Sequence, residues 1–399
     1  GIVVLPLGEN INSFTPVQHP ANDMSTPIIT THFDYHSIDH NLLKLDILGH
    51  DDPTMIRMLE DLTGVNAQGI RLDDEKVLSL FHGLTALEIE AKDLDGYDLG
   101  SLGVPEFGTE FVMQMLRETN PKTFSDLVRI SGLSHGADVW TGNAQTLIAE
   151  GKCELKNAIC TRDDIMIYLI DMGLEPGHAF KIMESVRKGK GLTPEWEQEM
   201  TEHNVPDWYI WSCKKIQYMF PKAHAAAYVM MGFRIAYFKV YYPLAYYSAF
   251  FSIRAKAFDY GLFCFGKEKL LSVIKDIKKV EKRHRNKKDE DVLGDAYIVL
   301  EMYARGFEFM PIDIYRAKPK QFQIIDNKIM PALVSIEGLG DKAAYALYEA
   351  AKKGKFLSKD DLKQRAKGTT QTAIDKMTEL GIINELPNSS QISLFDFMG

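Results

Sequence analysis

Phe220-Pro221-Lys222-Ala223-His224-Ala225-Ala226-Ala227-Tyr228 opens a long helical pattern that runs from about Ala223 to Tyr242 and stops at Pro243. Proline fits the first turn of a helix and cannot continue one, so the two prolines punctuate both ends. The small alanines let a ligand lie close against the helix start. Lys222, His224 and Tyr228 there offer a cation, an imidazole and an aromatic ring to hold phosphate and base. Further helix is expected to Phe258, and the stretch from Trp208 to Phe258 holds seven basic residues, no acidic one, and many rings.

On the N-terminal side, helical periodicity predicts pieces of ten to fifteen residues between about Leu72 and Val205: Glu110 to Glu118, Thr123 to Ile130, Asp163 to Met172, Glu175 to Arg187 and Pro194 to His203. Strand signals are almost absent there. Nearer the start, Leu43, Leu45 and Ile47 alternate with Lys44 and Asp46, which predicts a strand with Asp46 on its polar face. Gly49 closes it, and Asp52 with Pro53 begins a helix that lasts to Gly64. On the C-terminal side a strongly charged helix is expected around Lys267 to Glu290. Its basic run Lys278 to Lys288 reads equally as a solvated face or a loop. Gly306 to Asn327 alternates as two or three short strands, and a compact helical segment follows.

The 399 residues carry a net charge of -9, which taken alone argues against nucleic acid. The excess is local: residues 1 to 110 hold five Lys or Arg against nineteen Asp or Glu, and the remainder is net positive. Cys153, Cys160, Cys213 and Cys264 lack the close pairing of a zinc site, which favours a reduced, cytoplasmic protein. The uncharged window from Val240 to Ile253 is too short to span a membrane, and nothing resembles a signal peptide. Gly1 without a Met, followed by Ile2-Val3-Val4-Leu5, suggests a fragment.

Several segments offer chemistry. Asp46 on a strand is how phosphoryl-transfer enzymes anchor magnesium ions, but one carboxylate does not suffice, and a strand-edge pair with Lys44 is the alternative. Asp93-Leu94-Asp95 and Asp289-Glu290-Asp291 read as surface pairs. His32-Phe33-Asp34-Tyr35-His36-Ser37-Ile38-Asp39-His40 is rich in metal-ligand types, yet as an extended segment it reads better as a hydrogen-bonded strand edge. Glu184-Ser185-Val186-Arg187-Lys188-Gly189-Lys190-Gly191 places three cations and two glycines at a helix end without the Walker A spacing. With Arg162 and Lys222 it could face a polyphosphate. Ile336-Glu337-Gly338-Leu339-Gly340 before a helix from Asp341 to Lys353 fits a helix-hairpin-helix, whose glycines let backbone amides and a helix N-terminus meet a DNA phosphate. A glycine turn that serves packing alone is the competing reading. The tail Asn388 to Phe397 is a polar tether with Leu394, Phe395 and Phe397, which asks for a partner groove or for docking on its own domain.

Together these segments resemble the bacterial C-family replicative DNA polymerase III alpha subunits of the PolC type. The resemblance rests on Thr31-His32-Phe33-Asp34, Lys44-Leu45-Asp46-Ile47-Leu48-Gly49-His50-Asp51-Asp52-Pro53, Gly103-Val104-Pro105-Glu106-Phe107-Gly108, Ile130-Ser131-Gly132-Leu133-Ser134-His135-Gly136, Gly142-Asn143-Ala144-Gln145, Met183 to Gly191, and Phe220 to Tyr228. It implies a mainly α-helical α+β chain: the end of a nucleotidyltransferase-like palm over 1–60, helical fingers over 61–300, a tandem helix-hairpin-helix domain gripping duplex DNA over 301–387, and a clamp-binding tail over 388–399. Asp46 would be a palm carboxylate and magnesium ligand. Arg162, Arg187, Lys188, Lys190, Lys222, His224 and Tyr228 would face the incoming dNTP or the template, and Gly338, Gly340 and Lys342 the primer-template duplex. Gln391-Ile392-Ser393-Leu394-Phe395 would bind the sliding clamp (beta subunit), alongside contacts with other replisome subunits. Such a protein is cytoplasmic and nucleoid-associated, with no membrane partner. The family's other palm aspartates, in a Pro-Asp-x-Asp-type segment, are missing from this chain, which puts activity of the chain alone in doubt. The alternative is a non-catalytic DNA- and clamp-binding protein with a palm remnant.

Overall fold

The computed structural model describes residues 1–40 and 42–389. It divides into two compact units, residues 1–51 and 52–399. The first contains two antiparallel two-stranded ladders. β1 (Ile2–Val4), β2 (Val17–Gln18), β3 (Thr30–Thr31) and β4 (Leu43–Leu45) pair as β1 with β4 and β2 with β3. Ile2 stands opposite Leu45 and Val4 opposite Leu43, so one face of the β1–β4 ladder is apolar.

The alternation predicts a strand with one apolar face, but that face is not buried. Ile2 is 57% exposed, Leu43 59% and Ile47 69%. β4 also ends at Leu45, before Asp46. Two strands form a single layer, and alternation buries a face only where a second layer covers it. The His32–His40 segment is not extended either. Asp34 accepts a hydrogen bond from the His36 amide at 3.0 Å and starts a 3₁₀ turn, Tyr35–Ser37, which breaks the common face expected of the histidines. Among the described residues no group of three His, Cys, Asp or Glu side chains is arranged to hold a metal.

The second unit is helical: α1 (Asp52–Thr63), α2 (Glu75–Ser79), α3 (Glu110–Thr119), α4 (Phe124–His135), α5 (Gln145–Ala149), α6 (Arg162–Asp171), α7 (Pro176–Arg187), α8 (Pro194–Glu202), α9 (Asp207–Lys215), α10 (Lys222–Tyr241), α11 (Pro243–Ile253), α12 (Tyr260–Phe263), α13 (Lys267–Lys278) and α14 (Lys287–Ala304). After a hairpin of β5 (Gln323–Ile325) and β6 (Lys328–Met330) come α15 (Asp341–Lys352), α16 (Lys359–Arg365) and α17 (Gln371–Glu379). No described helix is long and apolar enough to cross a membrane.

α10 is the hub, packed against α1, α2, α4, α6 and α11. Its Gly232 meets the 103–108 loop so closely that a Cβ would lie 2.8 Å from the Pro105 carbonyl oxygen. Next to it, Phe233 packs with Phe81 and Phe124. The rings of the acid-free stretch are therefore mostly core: Tyr209, Phe233, Phe238, Tyr246 and Tyr247 are fully buried. Most of its cations are engaged as well. Lys214 pairs with Glu197 at 2.9 Å, Arg254 with Asp52, and Lys239 is 0% exposed beside Glu301.

Three readings are sharpened or changed by the structure. The charged segment takes the loop alternative for its basic run: α13 ends at Lys278, and Asn286 caps α14, its side chain accepting from the Asp289 amide at 2.8 Å. The strands expected from Gly306 onward reduce to β5 and β6, joined by Asp326 and Asn327 with φ of 49° and 61°, the left-handed pair of a tight hairpin turn. Asp95 is more than a surface carboxylate: it accepts from Lys278 Nζ at 2.7 Å and from the Tyr297 hydroxyl at 2.8 Å, tying its loop to α13 and α14.

Candidate nucleotide and DNA interface

Three cations converge on one carboxylate. Glu184 on α7 receives Arg187 through both Nε and Nη2, the second at 2.8 Å, Lys188 Nζ at 2.9 Å, and Arg162 Nη1 at 3.9 Å. Arg187 first and Lys188 second hold the Glu184 carboxyl down at about 2. One fixed negative charge thus aligns three positive ones, which leaves a net positive surface suited to an oxyanion.

Two helix N-termini meet beside this cluster. The Arg162 amide at the start of α6 donates to the Phe220 carbonyl at 3.2 Å, and the Lys222 amide at the start of α10 donates to Asp163 at 2.6 Å. Lys222 Nζ lies 3.4 Å from Asp164, whose carboxylate also accepts from the Thr161 amide at 2.8 Å. The positive ends of both helix dipoles face this side, and Asp163 and Asp164 offset part of that charge. Gly189 is explained by packing: at φ 71° its missing Cβ would meet the Gln217 carbonyl at 2.6 Å, while the Met219 amide donates to the Arg187 carbonyl at 3.2 Å. That contact fixes the Lys188–Lys190 turn. Lys190 is exposed on this turn and takes no part in the ion cluster.

An aromatic wall adjoins the cations. His224 stacks on Phe220 with centroids 4.9 Å apart and lies 4.6 Å from Tyr228. Sequence reasoning missed two supporting residues. His135 lies over Tyr228, its Nδ1 facing the Ser131 carbonyl at 2.7 Å and its Nε2 facing Glu106 at 3.2 Å. Glu106 adopts φ 71°, a costly conformation for a residue with a Cβ. Both stood inside quoted motifs, but only the fold brings residues so far apart in sequence together.

The second surface is a pair of hairpins. In Ile336–Gly340 the Leu339 amide donates to the Ile336 carbonyl at 3.0 Å, Gly338 has φ 82°, and α15 follows. In Ala366–Thr370 the Thr369 amide donates to the Ala366 carbonyl at 3.1 Å, Gly368 has φ 92°, and α17 follows. Their packing is reciprocal. A Cβ on Gly338 would lie 3.6 Å from the Ala373 nitrogen in α17, and one on Gly368 would lie 4.0 Å from Ala343 Cβ in α15. Gly338, Gly340, Lys342, Gly368 and Thr370 are exposed at the two tips. Sequence reasoning named residues only for the first hairpin. The signal for the second was Gly368 ahead of an alanine-bearing helix, in the register that Gly338 has ahead of α15. Arg365, just before the second hairpin, donates to the Ala350 and Gly354 carbonyls at 2.7 and 2.9 Å.

Asp46 stands in the first unit, its side chain 73% exposed and 3.6 Å from Lys44 Nζ, as the strand-edge alternative has it. Gln391, Ile392, Ser393, Leu394 and Phe395 lie outside the described residues.

Residues 52–205 match the family described as bacterial DNA polymerase III alpha subunit finger domain, and residues 306–392 match a helix-hairpin-helix motif family. The chain is 52% identical over 395 residues to the "DNA polymerase III PolC-type" of Caldanaerobacter subterraneus subsp. tengcongensis, covering 99% of this chain and 28% of that protein. Identity is also 52% over 395 residues with the proteins of the same name from Bacillus subtilis and Clostridium perfringens, again over 99% of this chain and 27% of each relative. With finger and helix-hairpin-helix domains both present and half its residues shared along nearly its whole length, the chain belongs to the PolC-type bacterial DNA polymerase III family, of whose curated members it spans a little over a quarter.

Proposed function

We propose that this chain supplies the nucleotide-binding face of the fingers, over 61–300, and the duplex grip, over 301–387, of a template-directed DNA polymerase. The observation that carries the reading is the convergence of Arg162, Arg187, Lys188 and Lys222 with the N-termini of α6 and α10, beside the His224–Tyr228 wall. A triphosphate would take the cations and a base the rings. The primer 3′-oxygen would attack the α-phosphorus of a dNTP, forming the O3′–Pα bond as the bond to the β-phosphate bridging oxygen breaks and pyrophosphate leaves. Cations held in place ahead of the reaction offset the charge that builds on the phosphoryl oxygens.

Asp46 is proposed as a palm carboxylate and magnesium ligand. By itself it does not fit the ion: magnesium takes several oxygen ligands, and here one exposed carboxylate stands next to a lysine. The 399-residue chain alone is therefore expected not to extend a primer. Residues 391–395 follow the pattern Gln, aliphatic, Ser or Asp, Leu, Phe and are proposed to dock on the sliding clamp. A replication role with other replisome subunits places the protein in the cytoplasm at the nucleoid.

The test is steady-state extension by the intact polymerase carrying Arg162→Ala or Lys222→Ala. A charge-assisted hydrogen bond contributes about 1.5–3 kcal/mol, so kcat/KM for dNTP should fall roughly 10- to 100-fold while primer-template affinity stays within about twofold. Unchanged dNTP dependence in both variants would refute the assignment.

A further inference from the structure

Residues 267–288 hold ten Lys or Arg against three Asp or Glu, in a chain whose net charge is -9. They form α13, the turn over 279–286 and the first residues of α14. Some of these cations are neutralised. Lys278 pairs with Asp95 at 2.7 Å, Lys279 with Asp276 at 2.7 Å, Arg283 with Glu281 at 2.8 Å, and Arg285 with Glu290 at 3.2 Å. Lys267, Lys275, Lys282, Lys287 and Lys288 have no carboxylate partner among the described residues, and all but Lys267 are exposed. The fold spends no internal interaction on them, so their charge is presented outward.

The position of this ridge selects its partner. A cleft of about 510 Å³ has Lys269 and Lys288 on its fingers wall, and on the opposite wall Glu337, Lys376 and Glu379. Glu337 precedes Gly338 in the first hairpin. Lys376 is shared between Glu337 at 3.3 Å and Glu379 at 3.2 Å, which leaves that wall net negative, so the cleft's unpaired positive charge is on the fingers side. Asp259, also on the lining, caps α12 by accepting from the Leu262 amide at 2.9 Å. On the far side of the turn a second cavity, about 380 Å³, is lined by Arg117, Lys278, Lys282 and Arg285 together with Asp95, Glu110 and Glu290.

We propose that the α13–α14 basic ridge is a DNA contact of the fingers, a track for the phosphate backbone of the duplex that continues from the first hairpin. The proposal rests on the hairpins being a duplex grip. Twelve residues of α13 extend about 18 Å, enough to follow several successive phosphates of one strand. Lysines on flexible stems suit this task, since a phosphate track needs charge and no base reading. Phe265, exposed and under Lys269 Nζ at 4.6 Å, forms one edge of the same surface.

The experiment is equilibrium binding of fluorescent duplex and single-stranded DNA to the intact polymerase between 50 and 200 mM salt, for wild type, the triple variant Lys282→Gln/Lys287→Gln/Lys288→Gln, and Gly340→Pro. Each neutralised duplex phosphate contributes about 0.9 to the slope of log K against log salt, so the triple variant should flatten the duplex slope by roughly 2–3 and leave single-strand affinity within about twofold. Gly340 has φ -70°, which suits proline, so that change deletes one exposed amide donor from the hairpin. Weaker duplex binding by Gly340→Pro with an unchanged slope in the triple variant overturns the ridge and leaves the hairpin reading standing. No effect of either overturns both. A loss confined to single-stranded DNA also overturns the duplex track.

Discussion

Replacing Lys239 with methionine is expected to destabilise the helical unit by about 3–5 kcal/mol, the cost of leaving a buried charge without its partner. Lys239 is fully buried on α10, and its ammonium donates to Glu301 at 2.9 Å, to the Gly100 carbonyl at 2.8 Å and to the Leu102 carbonyl at 2.5 Å. Burial pushes its pKa down, and Glu301 opposes that shift. The Tyr247 hydroxyl donates to Glu301 at 2.7 Å, and Arg305 donates to the Lys239 carbonyl at 3.0 Å. α10, α11, α14 and the loop at 100–102 thus share one polar knot inside an apolar core. Thermal melting should shift down on the order of 10 °C. The double variant Lys239→Met/Glu301→Leu should recover part of this loss, because removing both charges removes the uncompensated one. A single variant that melts like wild type would show that the knot carries no such weight.

Asp46→Asn in the intact polymerase should lower primer extension by about 10²- to 10³-fold or more, with primer-template affinity within about twofold. The substitution keeps the shape of the side chain and removes its charge. Since the side chain is 73% exposed and its ion pair with Lys44 is a surface pair, stability should change by no more than about 0.5 kcal/mol. Loss of activity at unchanged melting temperature is thus specific to the chemistry. Single-turnover extension measures it, and near-normal rates would remove Asp46 from the catalytic assignment.

Helices with caps and prolines were legible in the sequence. Pro221 and Pro243 bracket α10, Glu175-Pro176 starts α7, and Thr193-Pro194 starts α8, each a local signal that tertiary packing did not overrule. What depends on distant partners was not legible. Lys239 looked like one more cation in an acid-free stretch, and nothing near it announces Glu301, which only the fold brings into contact. The lysine run to Lys288, which reads equally as a solvated face or a loop, hid the Asn286 cap that starts α14 within it. Alternation in β4 was correctly seen, but it does not reveal whether a second layer covers the face. At the proposed nucleotide site the residue types were visible as motifs, while Glu184 as their shared anchor and His135–Glu106 as support for the rings required the helices to be placed.

The most direct test of the central claim is photo-crosslinking with a dNTP analogue carrying an azido group on the γ-phosphate, bound with primer-template DNA to the intact polymerase. The account predicts label in the peptides containing Arg162, Glu184–Lys190 and Lys222, competed by unmodified dNTP. Competed label confined to peptides outside these three would contradict it.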